Sequence, residues 1–219
     1  MSLPFSVEQF FQVFAAYNVT IWPAQILAYF LALAALALSV RPSRPAGRVV
    51  SGILALSWIW MGVVYHILYF SPINPAAFVF GAFFVVQGLL FLVVGSIQGK
   101  LTFELSTRPA AIVGAILILY AMVGYPLLGA ALGHYYPAAP TFGVTPCPAT
   151  IFTFGLLLCA TAAPRYLLII PFLWAIVGTS AAIQLGVFQD YGLAIAAVVT
   201  VFLMLRRERG RNPRLPQTA

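Results

Sequence analysis

Apolar residues in this chain come in long unbroken runs, neither alternating with polar ones nor confined to one helical stripe. A helix rises about 1.5 Å per residue, so roughly 20 apolar residues cross a hydrocarbon core about 30 Å thick. Seven runs approach that length: Trp22–Val40, Val49–Tyr69, Pro75–Ile97, Ala110–Leu132, Pro148–Ala163, Tyr166–Leu185 and Gly186–Leu205. The fifth is short, and the sixth and seventh meet at Leu185-Gly186 with little between them. Transmembrane β-strands would alternate apolar and polar over about 10 residues, which these runs do not. The pattern therefore predicts an all-α membrane protein with seven transmembrane helices. Before the first run, residues 4–16 mix Phe5, Phe10, Phe11 and Phe14 with Glu8, Gln9 and Gln12, as expected of an amphipathic helix lying at the interface. The predicted organisation is an interfacial segment over residues 1–21, a transmembrane domain over 22–205 and a basic tail over 206–219.

Composition agrees with that pattern. The chain of 219 residues is 63% hydrophobic and 7% charged, against about 25% charged in soluble domains. The N-terminus lacks the basic region of a cleavable signal peptide.

Charge placement adds an orientation. The net charge is +7, but the basic residues occupy alternate loops. Arg41, Arg44 and Arg48 follow the first run, Lys100 and Arg108 the third, Arg165 the fifth, and Arg206, Arg207, Arg209, Arg211 and Arg214 the seventh. The positive-inside rule makes those loops cytoplasmic, giving N-out/C-in. This arrangement argues against nucleic acid as a partner. The bilayer is the expected partner, with the arginine-rich tail read as a topology anchor and, as the alternative, as a contact for anionic lipid.

Paired short matches suggest an internal repeat, with coincidence between apolar helices as the alternative. Trp22-Pro23-Ala24-Gln25-Ile26 opens the first run as Cys147-Pro148-Ala149-Thr150-Ile151 opens the fifth, and Trp58…Gly62 matches Trp174…Gly178. At the same offset Asn74 corresponds to Asp190. The pattern predicts a 3+1+3 plan: parallel triads over 22–97 and 148–205, joined by a linker helix over 110–132. Parallel repeats are one of the transporter plans.

Candidate chemistry is sparse. No acidic or basic residue falls mid-membrane, which argues against a proton pump or a strongly charged cargo. The polar and aromatic candidates for binding are Gln25, Trp58, Tyr69, Asn74, Gln87, Thr150, Trp174, Gln184 and Asp190. Most such groups simply hydrogen-bond between helices. His66, His134 and Cys147 are assigned to the outer face with Asp190, and their types suit a metal or haem. No pair has ligand spacing such as H-x-x-x-H or C-x-x-C, so no cofactor is expected from motifs. Cys147 and Cys159, about 18 Å apart on one helix, cannot form a disulfide. The only lysine, Lys100, lies in a loop, and no phosphate-loop, serine-hydrolase or zincin motif occurs.

Three stretches together, EQFFQVFAAYN…WPAQ, YHILYFSPINPAAFVFGAFF and YPLLG…GHYYPAAPTFGVTPCPATIFTFGLLL, resemble a family of bacterial polytopic membrane proteins catalogued as a domain of unknown function. The resemblance implies a multi-pass protein of the bacterial inner membrane and supplies no activity or site. The leading expectation is a small permease or carrier for a neutral or weakly polar solute, held near the midplane between Trp58 and Trp174 and capped by residues 133–148. Alternatives are an outer-face metal- or haem-binding factor, and an accessory subunit of a larger membrane complex or a homo-oligomer.

Overall fold

The computed structural model describes residues 4–211, with side chains as far as residue 206. Its regular elements are all helical, apart from one isolated bridge between Phe103 and Ala160. The expected basic tail therefore lies almost wholly outside the described side chains.

Local sequence sets where each helix begins. Ser6 caps α1 (Val7–Thr20) by accepting from the Gln9 amide, while Gln9 returns the bond to the Ser6 amide, a reciprocal capping box. The chain then bends by 82° into α2 (Ala24–Val40). Ser43 caps α3 (Arg44–Phe70), accepting from Ala46. In the turn that follows, Asn74 Oδ1 accepts from the Ala76 amide just ahead of α4 (Ala77–Ile97). Prolines open α5 (Pro109–Ala131) and α6 (Pro146–Cys159), where a missing N–H costs nothing. Last come α7 (Arg165–Leu185) and α8 (Phe188–Arg206). They part at Gly186, whose φ of 71° is a left-handed C-cap suited to glycine.

Five helices, α3, α4, α5, α7 and α8, are long and apolar enough to cross a membrane, and the bent pair α1–α2 raises the number to six. Length and composition thus give five or six spans, short of the seven predicted from the apolar runs. The shortfall has two causes. The second helix has 17 residues and reaches spanning length only together with α1, from which it bends away. The sixth has 14 residues, about 21 Å of helix.

That short helix is the centre of the bundle. Every residue of α6 except Cys147 is buried, as expected of a helix apolar on all sides inside a larger protein. It packs against α5, α7 and α8, and Trp58 of α3 reaches it by donating from Nε1 to Thr153 Oγ1 at 3.0 Å. Glycines permit the closest approaches. Gly114 and Gly155 face each other across α5 and α6, and Gly62 and Gly81 across α3 and α4. Within α5, Pro126 has no N–H to offer the Met122 carbonyl four residues back. Tyr29 of α2 donates to that carbonyl at 2.9 Å.

The two ends of the bundle differ. At one end Arg44 and Arg48 donate to the Gln98 and Ile97 carbonyls, Leu105 N–H to Ser39, Thr161 N–H to Thr102, and Arg108 to Cys159. Three of the loops rich in basic residues therefore meet there. At the other end α1 lies across the helix termini and is tied to residues 133–145. Tyr17 Oη donates to Val144, and Asn18 Nδ2 donates to Pro137 and Ala139. Between the ends, large apolar side chains face outward, including Phe30, Leu33, Phe78, Phe83, Ile116, Leu119, Ile183 and Val198. A soluble monomer rarely exposes so much contiguous apolar surface. The girdle is compatible with a multi-pass membrane protein.

Candidate functional site

A cavity of about 340 Å³ opens at the end opposite the basic loops. Its apolar wall comes from Phe10 and Phe14 of α1, Tyr65 and Phe70 of α3, and Phe80 of α4. Pro140 and Thr145 close it from the loop before α6. Polar groups in its lining include Asn74, Cys147, Ser180, Gln184 and Asp190.

Among the described residues, Asp190 is the one acidic side chain that reaches this cavity. The left-handed turn at Gly186 lets the chain reverse out of α7, and a single tight turn over Phe188–Asp190 starts α8. Asp190 is 4% exposed, and the Tyr125 hydroxyl of α5 donates to its Oδ1. An unpaired carboxyl would be costly here, so this bond is what allows the acid to sit in an apolar wall. Cys147, in the first turn of α6, stands beside the same carboxyl. Tyr120 donates to the Gln189 carbonyl at 2.6 Å, and the Gln189 side chain meets His134 Nδ1 at 3.1 Å. Gly192 makes room for the Tyr120 ring, since a Cβ there would lie 2.3 Å from it. A chain of polar groups thus runs from the cavity wall to the partly exposed His134.

Of the residues singled out in the sequence, Asn74, Trp174, Gln184, Asp190 and Cys147 line this one cavity. The others are placed elsewhere. Gln25 donates to the Asn18 carbonyl at 2.8 Å, Gln87 to the Leu167 carbonyl at 3.1 Å, and Thr150 to Pro146 in its own helix at 2.7 Å. Tyr69 lies edge-on to Tyr17. Trp58 and Trp174 both abut Phe84, at 4.5 and 5.0 Å between ring centroids. Phe84 therefore fills the space between the two tryptophans, and the open volume lies nearer the end of the bundle.

His66, His134 and Cys147 are not brought together as a ligand set. His66 is fully buried, packed against Phe84 and Trp174, and neither ring nitrogen has a hydrogen-bond partner among the described residues. His134 stacks on Phe11 at 4.7 Å. Among the described residues no three His, Cys, Asp or Glu side chains are grouped so as to hold a metal ion.

Tyr125 and the Phe10–Phe14 pair belong to the site but were not singled out as site residues. Tyr125 carried a signal: a phenol inside an apolar run needs a polar partner when buried. The phenylalanines carried none, since their amphipathic pattern reads equally well as a face for lipid.

The model of one protein family, described as a family of unknown function (DUF6064), matches residues 7–214. No curated protein and no solved structure matches the chain.

Proposed function

The chain belongs to that family of unknown function, and from this premise we propose that it is a carrier of the bacterial inner membrane for a small neutral or weakly polar solute. The carrying observation is the cavity at one end of the bundle, mostly apolar but with Asp190, Cys147, Asn74, Ser180 and Gln184 converging in it. Pockets for small molecules have this character, a largely apolar wall with a few placed polar groups.

In this reading the cavity faces outward and the basic loops face the cytoplasm. The chain crosses seven times, with α2 completing a span beside α1 and the short α6 crossing inside a sheath of its neighbours. The parallel 3+1+3 plan supplies the two halves that rock against one another. Below the cavity, Phe84, Trp58 and α6 close the way to the other end, so this is the outward-open state. The outer mouth of the cavity lies beside α1 and the loop over 133–145. Asp190 and Asn74 hydrogen-bond the solute, and Trp174 stacks against it. The bilayer is the partner throughout, with the arginine-rich tail on anionic headgroups.

Flux measured in proteoliposomes over a panel of uncharged polyols, sugars and amides tests the proposal. At least one solute is expected to enter faster than into empty vesicles, to lose that advantage in Asp190→Ala, and to slow alkylation of Cys147. A panel with neither flux nor protection of Cys147 overturns it.

A further inference from the structure

The cavity continues sideways. An apolar groove of about 260 Å³ runs between α4 and α7, lined by Phe80, Phe83, Phe84, Leu173, Trp174 and Val177 among others. Four residues, Phe80, Trp174, Ile176 and Val177, line both the groove and the cavity. Groove and cavity therefore adjoin along one face of α7. Leu173 and Ile176 are exposed on the outward apolar girdle, so the groove is open to whatever surrounds that girdle.

Chemistry changes along this path. The groove presents almost only hydrocarbon and aromatic surface, whereas Asn74, Cys147, Ser180, Gln184 and Asp190 lie in the cavity. Trp174 stands at the junction. It is 9% exposed, and its indole N–H meets only the Cys147 sulfur among the described residues. A sulfur is a weak acceptor for a buried N–H. A ligand oxygen placed where the polar cavity gives way to the apolar groove would satisfy it.

We propose that the ligand is a single-chain neutral amphiphile that enters from the bilayer between α4 and α7, its hydroxylated head in the cavity and its alkyl chain in the groove. This rests on the cavity being the solute site and names the class of solute. An ether or ester oxygen at the neck accepts from Trp174 Nε1. Head hydroxyls donate to Asp190 and Asn74. The alkyl chain keeps lipid-like surroundings and need not enter water, so the outer mouth beneath α1 serves the head alone.

The two cysteines give a direct readout, because Cys147 lines the cavity while Cys159 is fully buried in the core. The rate of Cys147 alkylation by a maleimide is measured in lipid nanodiscs with 1-O-dodecylglycerol or 1-O-butylglycerol. A bound ligand lowers the rate by the factor 1 + [L]/Kd, so about tenfold protection is reached near ten times Kd. The dodecyl ether is expected to protect Cys147 at a membrane concentration where the butyl ether does not. Val177→Trp, at a partly exposed position on the shared wall, is expected to abolish dodecyl protection while leaving Cys147 reactive. Ile176→Trp repeats the test if the first variant does not fold. Equal protection by both ethers, unaffected by either tryptophan, overturns lateral entry and leaves the small-solute cavity standing. If neither ether protects while an uncharged solute from the flux panel does, the amphiphile class is wrong and the carrier reading survives. If nothing protects, the amphiphile class falls, and the carrier reading falls with it where the flux panel also shows no uptake.

Discussion

Replacing Gly155 with alanine adds one methyl group at the tightest contact of the central helix. A Cβ there would lie 2.7 Å from the Gly114 carbonyl oxygen, 2.6 Å from Ile118 Cγ1 and 3.2 Å from the Ile118 amide nitrogen. Two of these atoms are backbone and cannot rotate aside. Restoring ordinary contact requires α5 and α6 to part by roughly 0.7 Å, and a gap of that size forfeits about a quarter to a half of each dispersion contact across the seam. With on the order of 25 atom pairs at about 0.15 kcal/mol each, the loss is about 1–2 kcal/mol, within the usual range for overpacking. For a chain of this size that lowers the midpoint of thermal unfolding by roughly 2–8 °C. Gly52→Ala is the matched control, because its Cβ would meet only Ser96 Oγ at 3.4 Å. The better helix propensity of alanine, worth up to about 1 kcal/mol, acts at both positions, so the clash is read from the difference between the two variants. Both variants are purified in the same mild detergent and melted by loss of the monodisperse gel-filtration peak. Equal midpoints for Gly155→Ala and Gly52→Ala would refute the reasoning from close helix contact.

Three further outcomes are expected. Tyr125→Phe removes the hydroxyl that donates to buried Asp190; it should lower stability by about 1–3 kcal/mol in detergent melts, and an unchanged melt would show the bond to be dispensable. Gly186→Ala forces a side chain into the left-handed C-cap at φ 71° and should cost about 1–2 kcal/mol, although no atom lies within 4 Å of the new Cβ; a neutral result would mean that the turn relaxes. In a background with Cys147→Ser and Cys159→Ala, an impermeant maleimide applied to intact cells should label Tyr135→Cys and not Lys100→Cys; the reverse pattern would invert the proposed orientation.

The sequence carried the helices well and their roles poorly. Runs such as those in α3, α4 and α5 are apolar over more than 20 residues, so their existence followed from length alone. Gly186 marked the α7–α8 boundary for a conformational reason visible in the residue type. The burial of α6 could not be read in the same way. Its residues are no more apolar than those of α4, because lipid and protein interior select the same side chains. The bend after α1 likewise lowered the span number without altering the hydropathy of either helix. For the site, Asp190 and Cys147 stood out as rare polar groups and do converge, whereas His66 and Cys147 looked equally available and only one reaches the cavity. Which face of a helix a residue occupies depends on crossing angles that no local pattern records. The small-residue contacts at Gly114 and Gly155 illustrate this, since each glycine is informative only in sight of the other.

The enclosure of α6 has a consequence for how the gene can drift. A helix facing acyl chains answers to a partition equilibrium: almost any apolar side chain serves, whatever its shape. A helix ringed by protein answers to volume. Substitutions that preserve hydrophobicity but change size, such as Leu156→Val or Ile151→Phe, should be purged in α6 and tolerated at outward positions such as Leu33 or Ile116. The order of assembly follows as well. A 14-residue helix is too short to span a bilayer on its own, so α6 is expected to settle after the neighbouring helices that receive it, which would make the centre of the bundle the last part to find its place.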